Sequence, residues 1–132
     1  MAKIILATGK RKSAIARASL KDGTGNVTFN TVSLDCVKPE MIRLKLQEPL
    51  ILLGETAKKF DIDLTVVGGG VMGQISAARL AIARALVEKN EKFKEIFLAY
   101  DRQLLVADVR RKEQKKPNSH GSARSKRQKS YR

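Results

Sequence analysis

The chain has 132 residues, and its 42% hydrophobic and 5% aromatic content allows one modest core built mainly from Ala, Val, Ile and Leu. Lys and Arg number 27 against 13 Asp and Glu, which gives a net charge of +14. Such a balance indicates a polyanionic partner, and because the sequence shows no basic amphipathic helix or lipidation motif, it favours nucleic acid over a membrane surface.

The first thirty residues predict three strands joined by turns, at 3–10, 12–23 and 26–30. The apolar run in the first is too short for a signal peptide or a membrane span, so we expect a soluble, cytoplasmic protein. In the second, small apolar side chains alternate with Ile15, Arg17 and Ser19, which puts Arg17 on the face opposite the core. Its apolar face consists of Ala14, Ala16, Ala18 and Leu20. Three strands in succession predict an antiparallel meander.

The next segment changes to helical spacing. Pro39 suits the first turn of a helix, and Val37, Met41 and Leu44 lie on one face at helical spacing. Pro49 is expected to interrupt the helix before a turn at Gly54.

Residues 60–67 predict another strand, because apolar side chains alternate with Asp61, Asp63 and Thr65. Helices are predicted at 71–89 and 91–99, and the run at 104–109 completes the globule. Arg79 falls inside the apolar arc of the longer helix. We interpret it as a side chain whose stem covers apolar surface while its head reaches water, with a buried phosphate contact as the alternative.

The remaining residues, 110–132, contain ten Lys or Arg and one acid, a net charge of +9. With almost no apolar side chains to bury, this segment is predicted to be an extended tail that is disordered without RNA, following a globular domain at 1–109. A targeting signal and a nonspecific adhesive arm are the alternative interpretations of the tail.

The glycine-rich segment 68–73 matches G-x-G-x-x-G between a strand and a helix, as in dinucleotide-binding sites. However, too little chain follows for several βαβ units. Gln74 and Ile75 also stand where a phosphate-binding loop needs Lys and Ser or Thr. The pattern favours a tight turn, and a small nucleotide-binding enzyme remains an alternative.

Other residues give little support for catalysis or metal binding. The one histidine, His120, lies in the tail, and one Cys and one His are too few for a structural zinc site. Cys36 excludes an internal disulfide and predicts a buried, inert thiol in a reducing compartment. Asp61 and Asp63 are interpreted as the solvated side of a strand. We therefore predict no catalytic residue, no metal and no cofactor.

The basic residues are the candidates for function. Lys10, Arg11 and Lys12 follow the first strand and adjoin Arg17, and clustered cations of this kind bind phosphates. We predict that RNA is bound by these and by basic residues of the tail. The tail residues are Arg110, Arg111, Lys112, Lys115, Lys116, Arg124, Lys126 and Arg127.

The segments 7–18 and 68–86 together resemble the family of the ninth protein of the small ribosomal subunit. The second segment matches through Gly68, Gly69, Gly70, Gly73, Gln74, Ala77, Ala81, Ala83, Arg84, Ala85 and Leu86. The resemblance implies an α+β two-layer sandwich, a four-stranded sheet backed by helices with a left-handed βαβ crossover. It also implies a non-enzymatic component of the small-subunit head, bound to ribosomal RNA and neighbouring proteins, with no homo-oligomer expected.

The resemblance further implies that the end of the tail contacts the anticodon stem-loop of peptidyl-site tRNA. The residues carried over for that role are Lys129, Ser130, Tyr131 and Arg132. The ending Ser-Tyr-Arg is similar to archaeal and eukaryotic members of the family. A free RNA- or DNA-binding adaptor is a further hypothesis for the same charge pattern.

Overall fold

The computed structural model describes residues 3–119, 123–124 and 130–131, and within these the chain is an α+β protein of five strands and three α-helices. The strands are β1 (Ile5–Arg11), β2 (Ala14–Asp22), β3 (Val27–Phe29), β4 (Val32–Ser33) and β5 (Phe60–Val67). The helices are α1 (Glu40–Leu53), α2 (Val71–Lys89) and α3 (Lys92–Tyr100), with short 3₁₀ helices at Leu34–Cys36, Gly54–Lys59 and Arg102–Leu104.

The sheet has the order β1-β2-β5-β3-β4. β2 is antiparallel to both β1 and β5, whereas β3 is parallel to β5. The predicted meander is therefore wrong beyond the first hairpin, and the expected four strands are five. The added strand is the two-residue β4, which pairs with β3 after Asn30 and Thr31, both at positive φ.

Asp61 explains why the chain leaves β2 and crosses to the other side of β5. Its Oδ1 accepts backbone N–H bonds from Thr24, Gly25 and Asn26 at 2.8, 3.0 and 2.9 Å. These bonds hold the turn against the start of β5, so β3 continues along the far edge of that strand. They also lower the pKa of Asp61, led by the amide of Asn26. A carboxylate interpreted as merely solvated therefore organises the sheet.

The core lies between one face of the sheet and α2, against which α1 and α3 pack. The alternation predicted for β2 is confirmed, since the four side chains of its predicted apolar face are fully buried. β1 approaches α2 closely at Gly9, where a Cβ would lie 2.1 Å from the carbonyl oxygen of Ala77. A larger residue cannot fit there, so the spacing of the two layers depends on small residues.

The predictions for α1 were partly wrong. The helix runs through Pro49, whose ring is fully buried, and it ends at Leu53. Burial of the ring in the core offsets the lost helical hydrogen bond. The helix buries the face that carries Leu46, whereas Met41 and Leu44, on the apolar face noted in the sequence, are 65% and 50% exposed.

Other predictions agree with the structure more closely. β5 and α2 have the predicted bounds, and α3 begins and ends one residue later than expected. The 3₁₀ helix after it, Arg102–Leu104, includes only the first residue of the run predicted at 104–109, and residues 105–119 contain no helix or strand. Cys36 is exposed, so the prediction of a buried thiol was wrong; it ends a surface 3₁₀ helix instead of facing the core. In the described part of the chain, none of the helices has the length and apolar character needed to cross a membrane.

Candidate nucleic-acid interface

The turn between β1 and β2 presents three consecutive cations at one end of the sheet. Lys10 lies on the open face because its neighbour Gly9 faces α2, and strand alternation turns Arg11 toward the helices. Lys12 occupies the turn itself, with φ of 53°. The three side chains therefore point in different directions around one hairpin tip.

Arg17 lies on the open face of the sheet, as predicted. It stands opposite Thr8 on β1 and Thr65 on β5, one same-face position further from the turn than Lys10. Arg17 can therefore act together with Lys10 on a ligand that covers this face.

Asp108 connects the hairpin to the C-terminal segment. Its Oδ2 lies 3.0 Å from Arg11 Nη1 and 2.6 Å from Arg110 Nη2, and its Oδ1 accepts the backbone N–H of Arg110 at 3.0 Å. The side chain is only 14% exposed. Hydrogen bonds from Arg110, assisted by the charge of Arg11, hold the pKa of Asp108 far below its usual value, so the carboxylate stays ionised.

Two further arginines fasten the same segment to the β1–β2 hairpin. Arg84 donates from Nη1 to the carbonyl oxygen of Thr8 at 2.9 Å and from Nε to that of Leu105 at 3.2 Å. Arg111 donates from Nη1 to the carbonyl oxygen of Lys12. The sequence analysis did not select Asp108 or Arg84 as functional residues. For Asp108 a signal was available, because an acid next to the basic run that begins at Arg110 is well placed to form a salt bridge within the chain.

These contacts bring two basic runs from opposite ends of the chain into one cluster, which we call the hairpin–tail cluster. It consists of Lys10, Arg11, Lys12, Arg110, Arg111 and Lys112, with Asp108 at its centre. Six cations and one carboxylate give the cluster a net charge of +5. A cavity of about 650 Å³ between Lys12, Ser13 and the residues from Arg110 to Lys112 offers space for phosphate groups.

The glycine turn before α2 packs directly behind the hairpin tip. Gly68 and Gly69 have φ of 76° and 67°, and a Cβ on Gly68 would lie 2.5 Å from the carbonyl oxygen of Ser13. Gln74 donates from Nε2 to the carbonyl oxygen of Gly68 at 3.1 Å. The glycines therefore serve a tight turn and close packing, as the sequence favoured.

Arg79 fits neither sequence interpretation. Its Nε lies 2.5 Å from Glu48 Oε2 on α1, and its Nη2 lies 3.2 Å from Asp101 Oδ2 after α3. The partly buried guanidinium thus joins α2 to α1 and to the residue that follows α3. Its two carboxylate partners are distant in sequence, so the helical pattern of α2 alone did not reveal them.

The rest of the predicted RNA-binding set is more dispersed. Lys115 and Lys116 are exposed, and Arg124 Nε donates to Glu113 Oε2 at 2.8 Å. Ser130 and Tyr131 are exposed as well. Other candidates lie outside the described residues, namely Lys126, Arg127, Lys129 and Arg132, as does His120.

Comparison with known proteins gives matches over nearly the whole chain. Residues 9–132 match the profile of a family described as ribosomal protein S9/S16. A protein of Methanococcus maripaludis named small ribosomal subunit protein uS9 is 47% identical over 133 residues, covering 98% of this chain and 99% of the relative. A protein of the same name from Methanothrix thermoacetophila is 46% identical over 132 residues, with the same coverage.

Proposed function

The chain belongs to the ribosomal protein S9/S16 family, and from this premise we propose that it anchors in the RNA of the small-subunit head and extends its tail toward peptidyl-site tRNA. Membership makes it a structural, non-enzymatic protein of the cytoplasmic ribosome. Nucleotide chemistry at the glycine turn is accordingly rejected. The proposed steps concern which residues bind RNA and what the tail does.

The observation that carries the proposal is the hairpin–tail cluster. Lys12 and Arg111 lie in direct contact although they come from opposite ends of the chain. Cations that converge in this way repel one another unless an anion lies among them, and Asp108 neutralises only one charge. RNA phosphates supply the remaining negative charge, and each neutralised phosphate releases counterions. Lys10 and Arg17 extend the same RNA contact across the open face of the sheet.

The tail beyond the cluster continues this role. Lys115 and Lys116 are exposed and free to reach phosphates, and RNA lowers the mutual repulsion of the basic residues that follow. We infer that Lys129, Ser130, Tyr131 and Arg132 reach the anticodon stem-loop of peptidyl-site tRNA. Tyr131 is 87% exposed, so its ring is available to stack or its hydroxyl to hydrogen-bond. Contacts to phosphates would position the tRNA without reading its sequence.

Two structural details belong to the same proposal. The parallel pair β3 and β5 is connected through α1, and we infer from the family resemblance that this crossover is left-handed. We also infer that 1–109 forms the anchoring domain and 110–132 the extended tail. The contacts that hold residues 105–111 against α2 and the β1–β2 hairpin support a boundary near this point.

Sedimentation of a cell lysate tests the ribosomal role of the chain. Quantitative co-migration of the tagged full-length chain with small subunits is expected, whereas a mostly free pool would favour a separate RNA-binding adaptor.

Removal of 130–132 tests the tail. Subunits carrying the truncated chain should assemble normally and bind peptidyl-site tRNA more weakly, and unchanged tRNA affinity would refute the tRNA contact. Removal of 110–132 should impair incorporation itself.

A further inference from the structure

A groove borders the hairpin–tail cluster beside the end of the edge strand β1, and we call it the edge groove. It has a volume of about 760 Å³ and lies between the end of this strand, α2 and the segment 101–110. Ser76, Arg79 and Leu80 share one side of α2 at helical spacing and form the first wall. The segment 101–110 forms the opposite wall, and Arg84 fastens it to α2 by a hydrogen bond.

The edge groove has a clear excess of positive charge. The charged residues that line it are Lys10, Arg11, Arg79, Arg102, Arg110, Asp101 and Asp108. Five cations and two acids give +3, and both acids already form salt bridges with cations of the groove. Arg79 also binds Glu48, which belongs to α1 and does not line the groove. Counting that acid still leaves +2, so the excess does not depend on where the boundary of the groove is drawn.

Two cations of the groove are available to a ligand. Among the described residues, Lys10 and Arg102 form no salt bridge, in contrast to the other three cations. Arg102 is exposed at the start of the 3₁₀ helix that follows α3. A guanidinium in this position can hold a phosphate through two parallel hydrogen bonds. Arg102 lies outside both basic runs, so the charge pattern of the sequence did not identify it.

The edge groove is continuous with the hairpin–tail cluster. Arg110 lines both this groove and the cavity of about 650 Å³ beside Lys12. Asp108, at the centre of the cluster, also lies on the wall of the groove. A ligand in the cavity can therefore extend past Arg110 into the groove without leaving the positive surface. The backbone of a nucleic acid suits such a track, because its phosphates follow one another along the strand.

We propose that the edge groove binds the backbone of the same RNA strand that meets the hairpin–tail cluster, with Arg102 as a phosphate-binding residue. The inference rests on the proposed RNA-anchoring function and extends the contact to the end of α3. The chain's own tail does not suit the groove, because 110–132 has a net charge of +9 and is repelled. The charge would also attract an acidic protein segment. RNA is favoured because the groove shares Arg110 with the cluster assigned to RNA.

Salt-dependent binding tests the role of Arg102. Because its side chain is exposed and makes no salt bridge with the described residues, Arg102→Gln should unfold at the same urea concentration as the unaltered chain. The slope of log affinity for small-subunit RNA against log salt should become shallower by roughly 0.7–0.9, the value for one phosphate. Arg102→Lys keeps the charge and should restore the slope.

Lys92→Gln is the matched control for this measurement. It removes a cation at the other end of α3, outside the edge groove, and should leave the slope unchanged. A slope for Arg102→Gln that equals the slope of the unaltered chain would refute the assignment of Arg102. An equal reduction by Lys92→Gln would show that any cation near α3 has this effect, which would also refute it.

Crosslinking within assembled subunits tests the path of the strand. A photo-crosslinking residue replaces Gln103 or Val106, which line the groove, or Lys112 in the cluster, in the full-length chain. Small subunits are purified and irradiated, and the crosslinked nucleotides are mapped by reverse transcription. All three positions should reach one continuous segment of small-subunit RNA. Crosslinks from positions 103 and 106 only to protein, only to a remote RNA segment or to nothing would refute RNA binding in the groove.

Failure of the edge groove can be told apart from failure of the proposed function. A chain that does not enter small subunits, or that never crosslinks to RNA from position 112, would overturn both. A chain that enters small subunits and crosslinks to RNA from position 112, but not from positions 103 and 106, would overturn the groove alone.

Discussion

Arg11 and Asp108 form a salt bridge of 3.0 Å that joins the end of β1 to the segment from which the basic tail departs. The same carboxylate binds Arg110, so one acid holds cations from both ends of the chain. This arrangement fixes where the tail begins relative to the hairpin tip. RNA can then meet both basic runs as a single preorganised surface, which lowers the cost of ordering them on binding.

Asp108→Asn is predicted to release the base of the tail. The amide can accept hydrogen bonds but no longer attracts Arg11 and Arg110 by its charge, so residues 109–116 detach more often. Limited digestion of the free full-length chain with trypsin should cleave after Arg110 and Arg111 severalfold faster than in the unaltered chain. Asp35→Asn makes the same change of charge on a distant 3₁₀ helix and should leave the cleavage rate unchanged. Equal cleavage in all three proteins would show that the salt bridge does not hold the segment.

Stability in acid should depend on Asp61. Its folded-state pKa lies below the ordinary 3.8, so its stabilising effect is complete above about pH 3.8 and disappears as the pH falls through the lowered value. The difference in free energy of unfolding between the unaltered chain and Asp61→Asn should thus be constant from pH 7 to pH 5 and shrink below pH 3.8. Urea unfolding at a series of pH values measures it.

A matched control for this titration lies on the same strand and face. Asp63→Asn removes an equal charge where the carboxylate accepts one hydroxyl hydrogen bond, from Thr28, rather than three amide hydrogen bonds. Its effect at neutral pH should be smaller than that of Asp61→Asn. A difference for Asp61→Asn that does not change between neutral and acid pH would contradict the assigned role.

The glycine turn allows backbone strain and steric clash to be separated. Gly68→Ala should lower the free energy of unfolding by about 2 kcal/mol or more, because two costs combine at this position. The backbone has a positive φ that alanine disfavours, and the new Cβ would clash with the carbonyl oxygen of Ser13. Gly54→Ala, with positive φ but open space around its Cβ, should cost about 1 kcal/mol. Gly70→Ala has neither problem and should change stability by less than about 0.5 kcal/mol. Equal effects of the three changes would argue against the turn as a packed joint.

The hairpin–tail cluster should act through phosphates. Lys10→Gln and Lys112→Gln should each weaken binding of small-subunit RNA and reduce the slope of log affinity against log salt by about 1. Lys45→Gln and Lys94→Gln remove the same charge from α1 and α3, outside the hairpin–tail cluster, and should leave the slope unchanged. Filter binding across a range of salt concentrations provides the measurement. Equal slopes for all four variants would indicate that RNA does not bind the hairpin–tail cluster in preference to α1 and α3.

Alternation or helical spacing of apolar side chains predicted the strands and helices that have one buried face and one exposed face. β2 and β5 alternate because one face meets α2 and the other is open, so their burial follows from the sequence alone. α1 was less predictable, since Met41 and Leu46 are both apolar and lie on opposite sides of the helix. Periodicity cannot tell which of two apolar sides faces the core of the same protein.

Pairing between distant segments was beyond local patterns. β3 alternates equally well whether it pairs with β2 or β5, and the choice depends on Asp61 binding a turn far away in sequence. The functional surface was predictable in part. The runs of positive charge identified the cations around Lys12 and Arg111. That the two runs lie side by side depends on contacts of Asp108 and Arg84, whose partners are visible only in the folded chain.

The most direct test is whether the two basic runs meet the same RNA. A photo-crosslinking residue is placed at position 12 or at position 112 of the full-length chain, small subunits are purified and irradiated, and the crosslinked nucleotides are mapped by reverse transcription. Because Lys12 and Lys112 line one cavity, both positions should crosslink to the same short segment of small-subunit RNA. Crosslinks to widely separated RNA segments, or to protein alone, would contradict a single RNA-binding cluster.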